Sequence, residues 1–260
     1  MKKCISQNEQ KSVYVEDGTA KKIFAADYNK SDVLYEALNT ARVEDAGVDI
    51  PKLLAVSVEN GQWTITSEYI DGITLTELIA KHPEKAAEYI RRMAEYQIEF
   101  QKKTNPLLLK LKDKLVRQIN DLKELDSSIK YELQTRLNTM PKHTKLCHGD
   151  YCPDNIIVHI DDNANITDIT AVDWVHATQG NASADIANTY LMLKLQYGDS
   201  FEGIEGSIAD LYMADFCEIT DTKQTYVTGW LPIVAAARMT KNKAGEKELL
   251  EHWVNIVDFQ

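Results

Sequence analysis

The chain has 260 residues, of which 44% are hydrophobic and 27% charged, a balance typical of a soluble globular protein. Its 29 basic and 40 acidic side chains give a formal net charge of -11, which argues against a nucleic-acid partner, because such proteins present a basic face to the phosphates. No run of about 18 apolar residues occurs, and no apolar segment follows the basic start MKK, so neither a membrane span nor a signal peptide is predicted. We therefore expect a cytoplasmic protein without a membrane partner; the sequence indicates no oligomeric state.

The length allows a large buried core and suits either one large domain or two lobes that share a cleft. The four cysteines are too few and too scattered for a disulfide framework, and their spacing matches no zinc pattern. We therefore expect free thiols, at Cys4, Cys147, Cys152 and Cys217.

Residues 1–70 predict a small β-sheet that carries one helix. Two runs of β-forming residues flank Asp17-Gly18, and two more flank Asn60-Gly61; both dipeptides are strong signals for a hairpin turn. Between the hairpins, the segment KSDVLYEALNTARVED has helical periodicity. The apolar residues on one face of this predicted helix are Val33, Leu34, Ala37, Leu38 and Ala41.

Residues 71–260 have a mainly helical pattern. Thr74 and Glu77 form a capping box, and Pro83 suits the first turn of the next helix. After further amphipathic stretches, the segment NIIVHIDDNANITDITAVDW predicts a β-hairpin with a polar turn, and about four helices follow. We therefore expect an α+β protein with a β-rich part at 1–70 and a helical part at 71–260.

The loop LCHGDYCPDN, at residues 146–155, places many polar residues between a helix and the predicted hairpin. Asp150 and Asn155 lie in this loop, and the far strand of the hairpin returns Asp173 toward it. Phosphoryl transfer from ATP needs such a set: an Asp that orients the acceptor hydroxyl, and oxygen ligands that hold Mg²⁺ on the phosphates. Asp150 would orient the hydroxyl, while Asn155 and Asp173 would hold the metal. The alternative is that all three are turn-forming or capping residues.

His148-Gly149-Asp150, Asn155 and Asp173-Trp174 together resemble the His-Gly-Asp, four residues, Asn, then Asp-Trp signature of the aminoglycoside phosphotransferase and choline kinase family. The resemblance covers most of the chain, because the strand-rich part and the helical part follow in the family's order. It implies a bilobal protein-kinase-like fold that uses ATP and Mg²⁺. A small β-rich lobe at 1–70 would bind the nucleotide, and a larger helical lobe at 71–260 would hold the catalytic loop and the acceptor pocket.

The resemblance also assigns residues to the nucleotide. Lys22 is similar to the family lysine that reaches the α- and β-phosphates, and Glu36 sits where the helix glutamate pairs with it. Lys21 competes with Lys22, because a strand slip of one residue reverses which lysine faces the cleft. The alternative is that Lys22 and Glu36 are solvated surface charges. In the segment SEYIDG, the backbone carbonyl of Glu68 and the amide of Ile70 would bind adenine.

Two features depart from the family pattern. No Gly-rich loop precedes the lysine, so backbone amides near Gln10 to Ser12 would have to cover the phosphates. The interval between Asn155 and Asp173 is a few residues long for a kinase fold, and we place the extra residues in the DDNAN turn. Neither departure removes a proposed catalytic group.

Two other polar residues are assigned supporting roles. His148 is expected to make structural hydrogen bonds rather than to act as an acid or base, because Asp150 already fills that place in the mechanism. Asp185, in the segment SADIA, matches the Asp of the family's DxA pattern. We expect it to lie at the start of a helix and to brace the catalytic loop.

The stretch between Leu195 and Thr222 contains seven acidic residues and no Lys or Arg. In this fold the helices after the Asp-Trp pair build the acceptor pocket, so an anionic wall there would bind a cationic or amine-bearing acceptor such as an aminoglycoside. The alternatives are solvated helix faces, or an aromatic box of Tyr212, Phe216 and Trp230 around a quaternary ammonium such as choline. The acidic residues are Asp199, Glu202, Glu205, Asp210, Asp215, Glu218 and Asp221.

As a whole, the sequence favours an ATP- and Mg²⁺-dependent kinase that transfers the γ-phosphoryl group to a hydroxyl of a small amine-bearing molecule, with an aminoglycoside as first choice. Choline, ethanolamine and amino sugars are alternative acceptors. Two alternatives of other classes are a kinase-like binding module without turnover and a protein kinase. The second is weakened by His-Gly-Asp in place of His-Arg-Asp and by Asp-Trp in place of Asp-Phe-Gly.

Overall fold

The N-terminal part is a five-stranded antiparallel sheet with one helix packed against it. The computed structural model describes residues 3–243 and 245–255, so the first two residues of the basic start MKK lie outside it. The elements of this part are β1 (Lys3–Gln7), β2 (Lys11–Glu16), β3 (Thr19–Phe24), α1 (Lys30–Asp45), β4 (Leu53–Glu59) and β5 (Gln62–Glu68). The strand order is β1-β2-β3-β5-β4, so β3, with its two lysines, lies at the centre of the sheet.

Both predicted hairpins are confirmed. β2 and β3 are joined at Asp17-Gly18, β4 and β5 at Asn60-Gly61, and all four turn residues have φ values between 50° and 80°. Positive φ at both central residues belongs to the type I′ turn, whose twist matches that of the paired strands. The sequence does not predict β1, because this segment shows no apolar alternation. The reason lies in its position, since all of its residues are exposed.

The helix α1 forms where predicted, but the predicted inner face is only partly right. Leu34 and Leu38 are 42% and 46% exposed. The buried positions include two polar residues, because the helix packs against the site as well as against the sheet: Glu36 contacts Lys22, and Asn39 donates a hydrogen bond to the carbonyl oxygen of Val175 at 2.8 Å. The apolar pattern alone therefore assigns the wrong rotation to this helix.

The remainder of the chain is mainly helical and contains two small sheets. The antiparallel order β6-β8-β9 forms one sheet, and β7 pairs with β10 in the other. The elements are β6 (Ile73–Thr74), α2 (Leu75–Lys81), α3 (Ala86–Phe100), α4 (Leu111–Asp121), α5 (Ser127–Thr139), β7 (Lys145–Cys147), β8 (Ile156–Ile160), β9 (Ile166–Ala171), β10 (Thr178–Gly180), α6 (Ala182–Tyr197), α7 (Ile208–Thr220), α8 (Gln224–Thr228), α9 (Leu231–Met239) and α10 (Lys247–Asn255).

The hairpin of β8 and β9 is also confirmed. In its polar turn, one carboxylate oxygen of Asp161 accepts hydrogen bonds from the backbone amides of Asn163 and Asn165, both at 2.9 Å. This Asx-type arrangement explains how a turn rich in Asp and Asn closes the hairpin. The hairpin in turn brings the end of β9 next to the loop that precedes β8.

The core of the helical part is centred on α6 and α9. Every residue of α9 from Leu231 to Arg238 is buried, and most of α6 is buried as well. A separate small apolar cluster, which includes Phe24 and Ile65, fills the space between the N-terminal sheet and α1. None of the helices within residues 3–243 and 245–255 is both long and apolar enough to span a membrane.

Candidate active site

The loop between β7 and β8 is held in shape by a buried carboxylate. Asp185, in the first turn of α6, accepts hydrogen bonds from the backbone amides of His148 at 3.0 Å and Gly149 at 2.8 Å. Gly149 has a φ of +79°, and a Cβ atom there would lie 2.6 Å from the carbonyl oxygen of His176. Asp185 therefore braces the loop as predicted, and the close approach requires glycine at position 149.

His148 makes structural hydrogen bonds, as predicted. Its Nδ1 accepts a bond from the backbone amide of Asp150 at 3.2 Å, and its Nε2 donates to the carbonyl oxygen of Val172 at 3.1 Å. Burial lowers the pKa of the imidazole, which keeps it neutral at pH 7. The ring thus ties the loop at Asp150 to the residue before Asp173.

Asp150 presents its carboxylate to the cleft. Its Oδ1 accepts a hydrogen bond from the Lys241 ammonium at 2.8 Å. Burial raises the pKa of this carboxyl, but the charge and hydrogen bond of Lys241 outweigh burial, and the net direction is downward. Asp150 is therefore ionised at neutral pH and can accept a hydrogen bond from an acceptor hydroxyl.

Asn155 lies beside Asp173 through a backbone contact. Its carbonyl oxygen accepts a hydrogen bond from the Val172 amide at 2.9 Å, and its side-chain Nδ2 donates to the carbonyl oxygen of Asp150 at 2.9 Å. The bond from Nδ2 fixes the orientation of the Asn155 side-chain amide. In the part of the chain that the structure describes, no group donates a hydrogen bond to the Oδ1 of Asn155. An unpaired amide oxygen at this place fits a hard cation such as Mg²⁺.

Asp173 directly follows the strand end and adopts a left-handed conformation, with φ 65° and ψ 59°. Its carboxylate lies 3.1 Å from the Lys22 ammonium and 3.5 Å from that of Lys11. Burial raises the pKa of this carboxyl, but the two lysines hold it well below its ordinary value. Such a backbone conformation in a residue other than glycine is uncommon and is often found where a side chain is aimed at a ligand.

The two adjacent lysines of β3 lie on opposite faces of the sheet. Lys22 contacts Glu36 of α1 as well as Asp173, whereas Lys21 lies 3.2 Å from Glu59 on the other face. Burial lowers the pKa of Lys22, but its two carboxylate partners raise it well above the ordinary value. The strand register therefore places Lys22, not Lys21, in the cleft.

We expect Lys22→Gln to weaken the Kd for nucleotide about 10- to 100-fold, the range for losing hydrogen bonds to charged groups. Lys21→Gln is the matched control on the neighbouring position, and it should leave the Kd unchanged because Lys21 faces away from the cleft. Titration of each variant with Mg²⁺-ATP measures the difference. Equal losses in both variants would show that neither lysine is specific to the phosphates.

The segment after β5 connects the two parts of the chain. Glu68 is the last residue of β5, and Ile70 lies two positions further on. Tyr69, between them, donates its amide to the carbonyl oxygen of Gly18 at 3.2 Å. The amide of Ile70 donates no hydrogen bond within the described ranges. These positions suit the adenine contacts that the resemblance implies, which use main-chain groups.

The turn between β1 and β2 differs from the one expected over the phosphates. The side-chain oxygen of Asn8 accepts hydrogen bonds from the amides of Gln10 and Lys11, both at 2.9 Å, so these amides are not free. Ser12 lies within β2, opposite Gln7 and Ile23. The group of this segment that enters the cleft is the Lys11 ammonium, beside Asp173. Sequence reasoning missed Lys11, which no local pattern marks.

Three further basic side chains lie on the other side of Asp150, and we call them the basic cluster: Lys114, His176 and Lys241. The Lys114 ammonium donates to the carbonyl oxygen of His176 at 3.1 Å. Burial and, to a lesser extent, the charge of Lys241 lower the pKa of both groups, that of Lys114 to about 8 and that of His176 to about 3. Only His176, three residues after Asp173, offers a sequence signal; the two lysines come from α4 and from the segment after α9.

The acidic residues expected to line the acceptor pocket are largely engaged elsewhere. Asp199 and Asp210 pair with Lys194, both at 3.0 Å, while Asp215 and Glu218 pair with Arg91. Four of the seven therefore form ion pairs within the helical part. The proposed aromatic box is also absent among the described residues, since its members are buried in the core: Tyr212, Phe216 and Trp230.

The structure resembles solved small-molecule phosphotransferases. A thermostable mutant of aminoglycoside phosphotransferase APH(4)-Ia in complex with ADP and hygromycin B is 13% identical, with a TM-score of 0.65 over 97% of this chain and 90% of that one. The GDP complex of an aminoglycoside 2'-phosphotransferase IIIa mutant is 15% identical, with a TM-score of 0.60 over 98% and 91%. A choline/ethanolamine kinase family protein from Mesorhizobium loti is 14% identical, with a TM-score of 0.56 over 99% and 82%. The likeness confirms the bilobal, protein-kinase-like α+β fold.

The fold and the site together define a phosphotransferase of the kinase-like class. Residues 3–206 match the family described as the Phosphotransferase enzyme family, and the chain belongs to it. The resemblance drawn from the His-Gly-Asp and Asp-Trp motifs is therefore confirmed, as is the assignment to phosphotransferase enzymes. No curated protein sequence matches the chain.

Proposed function

We propose that this protein is an ATP- and Mg²⁺-dependent kinase that transfers the γ-phosphoryl group to a hydroxyl of a small amine-bearing acceptor. The observation that carries the proposal is the position of the Lys22 ammonium, in contact with Glu36 and 3.1 Å from Asp173. One cleft thus joins a cation suited to phosphates with a carboxylate suited to a metal. The proposal includes a cytoplasmic location, where thiols such as the four free cysteines persist.

In this proposal residues 1–70 form the nucleotide-binding lobe, and residues 71–260 form the lobe that holds the catalytic loop and acceptor. Lys22 binds the α- and β-phosphates, and Glu36 keeps its ammonium in place. The Lys11 ammonium covers the phosphates from β2, whereas Ser12 is paired within the sheet. The carbonyl of Glu68 and the amide of Ile70 bind adenine.

Asn155 and Asp173 are the proposed Mg²⁺ ligands. The donor set fits: one ionised carboxylate and one unpaired amide oxygen, tied together by the Val172 amide, are hard ligands of the kind that Mg²⁺ takes alongside phosphate oxygens and water. Across the described ranges no three His, Cys, Asp or Glu side chains group as a metal site, so phosphate oxygens would have to complete the coordination. When bound, Mg²⁺ offsets the negative charge of the phosphates.

Asp150 is the proposed catalytic residue. Lys241 occupies its Oδ1, which leaves Oδ2 to accept a hydrogen bond from the acceptor hydroxyl. The carboxylate orients the hydroxyl oxygen in line with the bond between the γ-phosphorus and the β,γ-bridging oxygen. As the new O–P bond forms and that bond breaks, ADP leaves and Asp150 takes the hydroxyl proton.

An amine-bearing acceptor is supported by the structural neighbours: one is a complex with hygromycin B, and another belongs to the choline/ethanolamine kinase family. We therefore place an aminoglycoside first among the candidate acceptors and choline, ethanolamine or an amino sugar second. The alternative of another class is a kinase-like binding module without turnover. The ionised Asp150 beside Asn155 argues against it, because the group that turnover needs is present.

The test is ADP release from Mg²⁺-ATP in the presence of aminoglycosides, choline, ethanolamine and amino sugars, with Asp150→Asn as control. We expect one class to stimulate release in the wild type and none to do so in the variant. Mg²⁺-dependent nucleotide binding without stimulation by any acceptor would favour the binding module. Absence of nucleotide binding would contradict the proposal altogether.

A further inference from the structure

The basic cluster converges on Asp150 from three separate elements. Lys114 comes from α4, His176 from the short 3₁₀ turn after Asp173, and Lys241 from the segment after α9. Lys241 is 91 residues from Asp150 in sequence, yet their side chains are 2.8 Å apart. The helical packing therefore places cations at the one carboxylate that must meet the acceptor.

Lys114 is the member whose charge is least compensated. Its ammonium can donate three hydrogen bonds, and within the described ranges it makes one, to the carbonyl oxygen of His176 at 3.1 Å. It forms no ion pair with a described carboxylate. A desolvated cation with donors to spare favours a bound anion, because the anion supplies the missing charge and hydrogen bonds.

Lys241 has donors to spare as well. Its ammonium has one described partner, Oδ1 of Asp150, and its side chain is 25% exposed, so a molecule in the cleft can reach it. Four of the seven acidic residues that would favour a purely cationic acceptor are engaged elsewhere, among them Asp210 with Lys194 and Asp215 with Arg91. Two ammonium groups, those of Lys114 and Lys241, therefore lie near the proposed catalytic carboxylate.

We propose that Lys114 and Lys241 form a binding site for an anionic group of the acceptor, a carboxylate or a phosphate, which they hold beside the hydroxyl that Asp150 orients. This inference rests on the proposed kinase function and narrows its substrate class. The amine of the proposed acceptor and this anion are then separate groups of one molecule. His176, neutral and next to both lysines, lines the same site and adds no charge.

The kinetic test uses pairs of acceptors that differ in the anion. L-serine against ethanolamine tests a carboxylate, and glucosamine 6-phosphate against glucosamine tests a phosphate. We expect the anionic member of one pair to have a kcat/KM about 10- to 100-fold higher, the range for hydrogen bonds to charged groups. Higher kcat/KM for the uncharged or cationic members would overturn the inference and leave the kinase function standing.

The variants Lys114→Met and Lys241→Met should remove that preference by raising the KM for the anionic member. Lys112→Met, on the same helix, and Lys243→Met, which is 58% exposed, are the matched controls and should keep it. A fall in kcat of equal size for both members of a pair would mean that the lysines serve the transferred phosphoryl group. That result would overturn the assignment to the acceptor.

A second readout needs no turnover. Acylation of the Lys114 amine, followed by mass spectrometry, is measured with each member of the two pairs present. The inference requires that an anionic member protects Lys114 more than its partner does; equal protection within both pairs contradicts it. Failure of the kinase proposal would instead show as absence of Mg²⁺-dependent nucleotide binding, so the two failures are distinguishable.

The pH dependence gives a further check. The pKa of Lys114 is about 8, so affinity for the anionic acceptor should fall as the pH rises through about 8, where the ammonium loses its charge. In Lys114→Met this step should be missing. An unchanged step in the variant would assign the titration to another group. The titratable groups that face Lys114 are Cys147 of β7, Asp150 of the catalytic loop, His176, Asp185 of α6 and Lys241.

Discussion

Asp150→Asn is expected to lower kcat by about 10²- to 10⁴-fold, the usual contribution of a positioned acid or base, while Mg²⁺-dependent nucleotide binding persists. The amide has nearly the same shape as the carboxylate, so the loop braced by Asp185 should keep its structure. It cannot take the hydroxyl proton, and it no longer carries the charge that holds Lys241 at 2.8 Å. Steady-state ADP release and nucleotide titration separate the two effects.

Asp154→Asn is the matched control, because Asp154 lies in the same loop and is exposed. Its carboxylate accepts a hydrogen bond from the Thr76 hydroxyl at 2.6 Å, and an amide oxygen can still do so. We expect this variant to keep kcat within about threefold of the wild type, the scale of a small surface effect. If Asp150→Asn also kept most of its kcat, Asp150 would not be the group that activates the hydroxyl.

The three polar residues of the proposed site were predictable because their signal is local. Asp150 and Asn155 lie in one short loop. The hairpin that brings Asp173 back to this loop is predicted by β-forming runs on either side of an Asp- and Asn-rich turn. The two N-terminal hairpins are predictable for the same reason, since Asp-Gly and Asn-Gly favour the positive φ angles of a type I′ turn. Where backbone conformation depends on neighbours in sequence, the sequence is informative.

The basic cluster was not predictable because it depends on tertiary packing. Lys114 and Lys241 stand in amphipathic or polar stretches that look like solvated helix surface, and only the packing of α4 against α9 turns them toward Asp150. The face of α1 was misassigned for a related reason. Its Glu36 and Asn39 are buried because they bond to Lys22 and to the Val175 carbonyl, which apolar periodicity cannot anticipate.

The contacts around Asp173 connect the proposed nucleotide site with the proposed acceptor site. Asn39 of α1 bonds to the turn after Asp173, and Lys22 bonds to Asp173 itself, so both parts of the chain meet at one strand end. On the other side of that strand end, the His148 ring donates a hydrogen bond to the carbonyl of Val172. The same ring accepts a hydrogen bond from the backbone amide of Asp150. A change at Asp173 should therefore affect the nucleotide more directly than the acceptor.

Asp173→Asn is expected to abolish the dependence of nucleotide binding on Mg²⁺ and to lower kcat by roughly 10³-fold, since a metal ion supplies several kcal/mol of charge stabilisation in the transition state. The neutral amide is a poorer ligand for a hard cation. It also leaves Lys22 with Glu36 as its one carboxylate partner among the described residues and removes the partner of Lys11. ATP titration with and without Mg²⁺ measures the first effect.

Asp168→Asn, on β9 and with a 67% exposed side chain, is the control and should keep the Mg²⁺ dependence.

Stability gives an independent check of the ion pairs. Because the pKa of Asp173 is held below its ordinary value, its pairing stabilises the fold above a pH of about 4 and is lost as the pH falls further. The Tm of Asp173→Asn should therefore lie below that of the wild type at pH 7, and the gap should narrow in acid. A gap that is constant with pH would contradict the proposed pairing with Lys22 and Lys11.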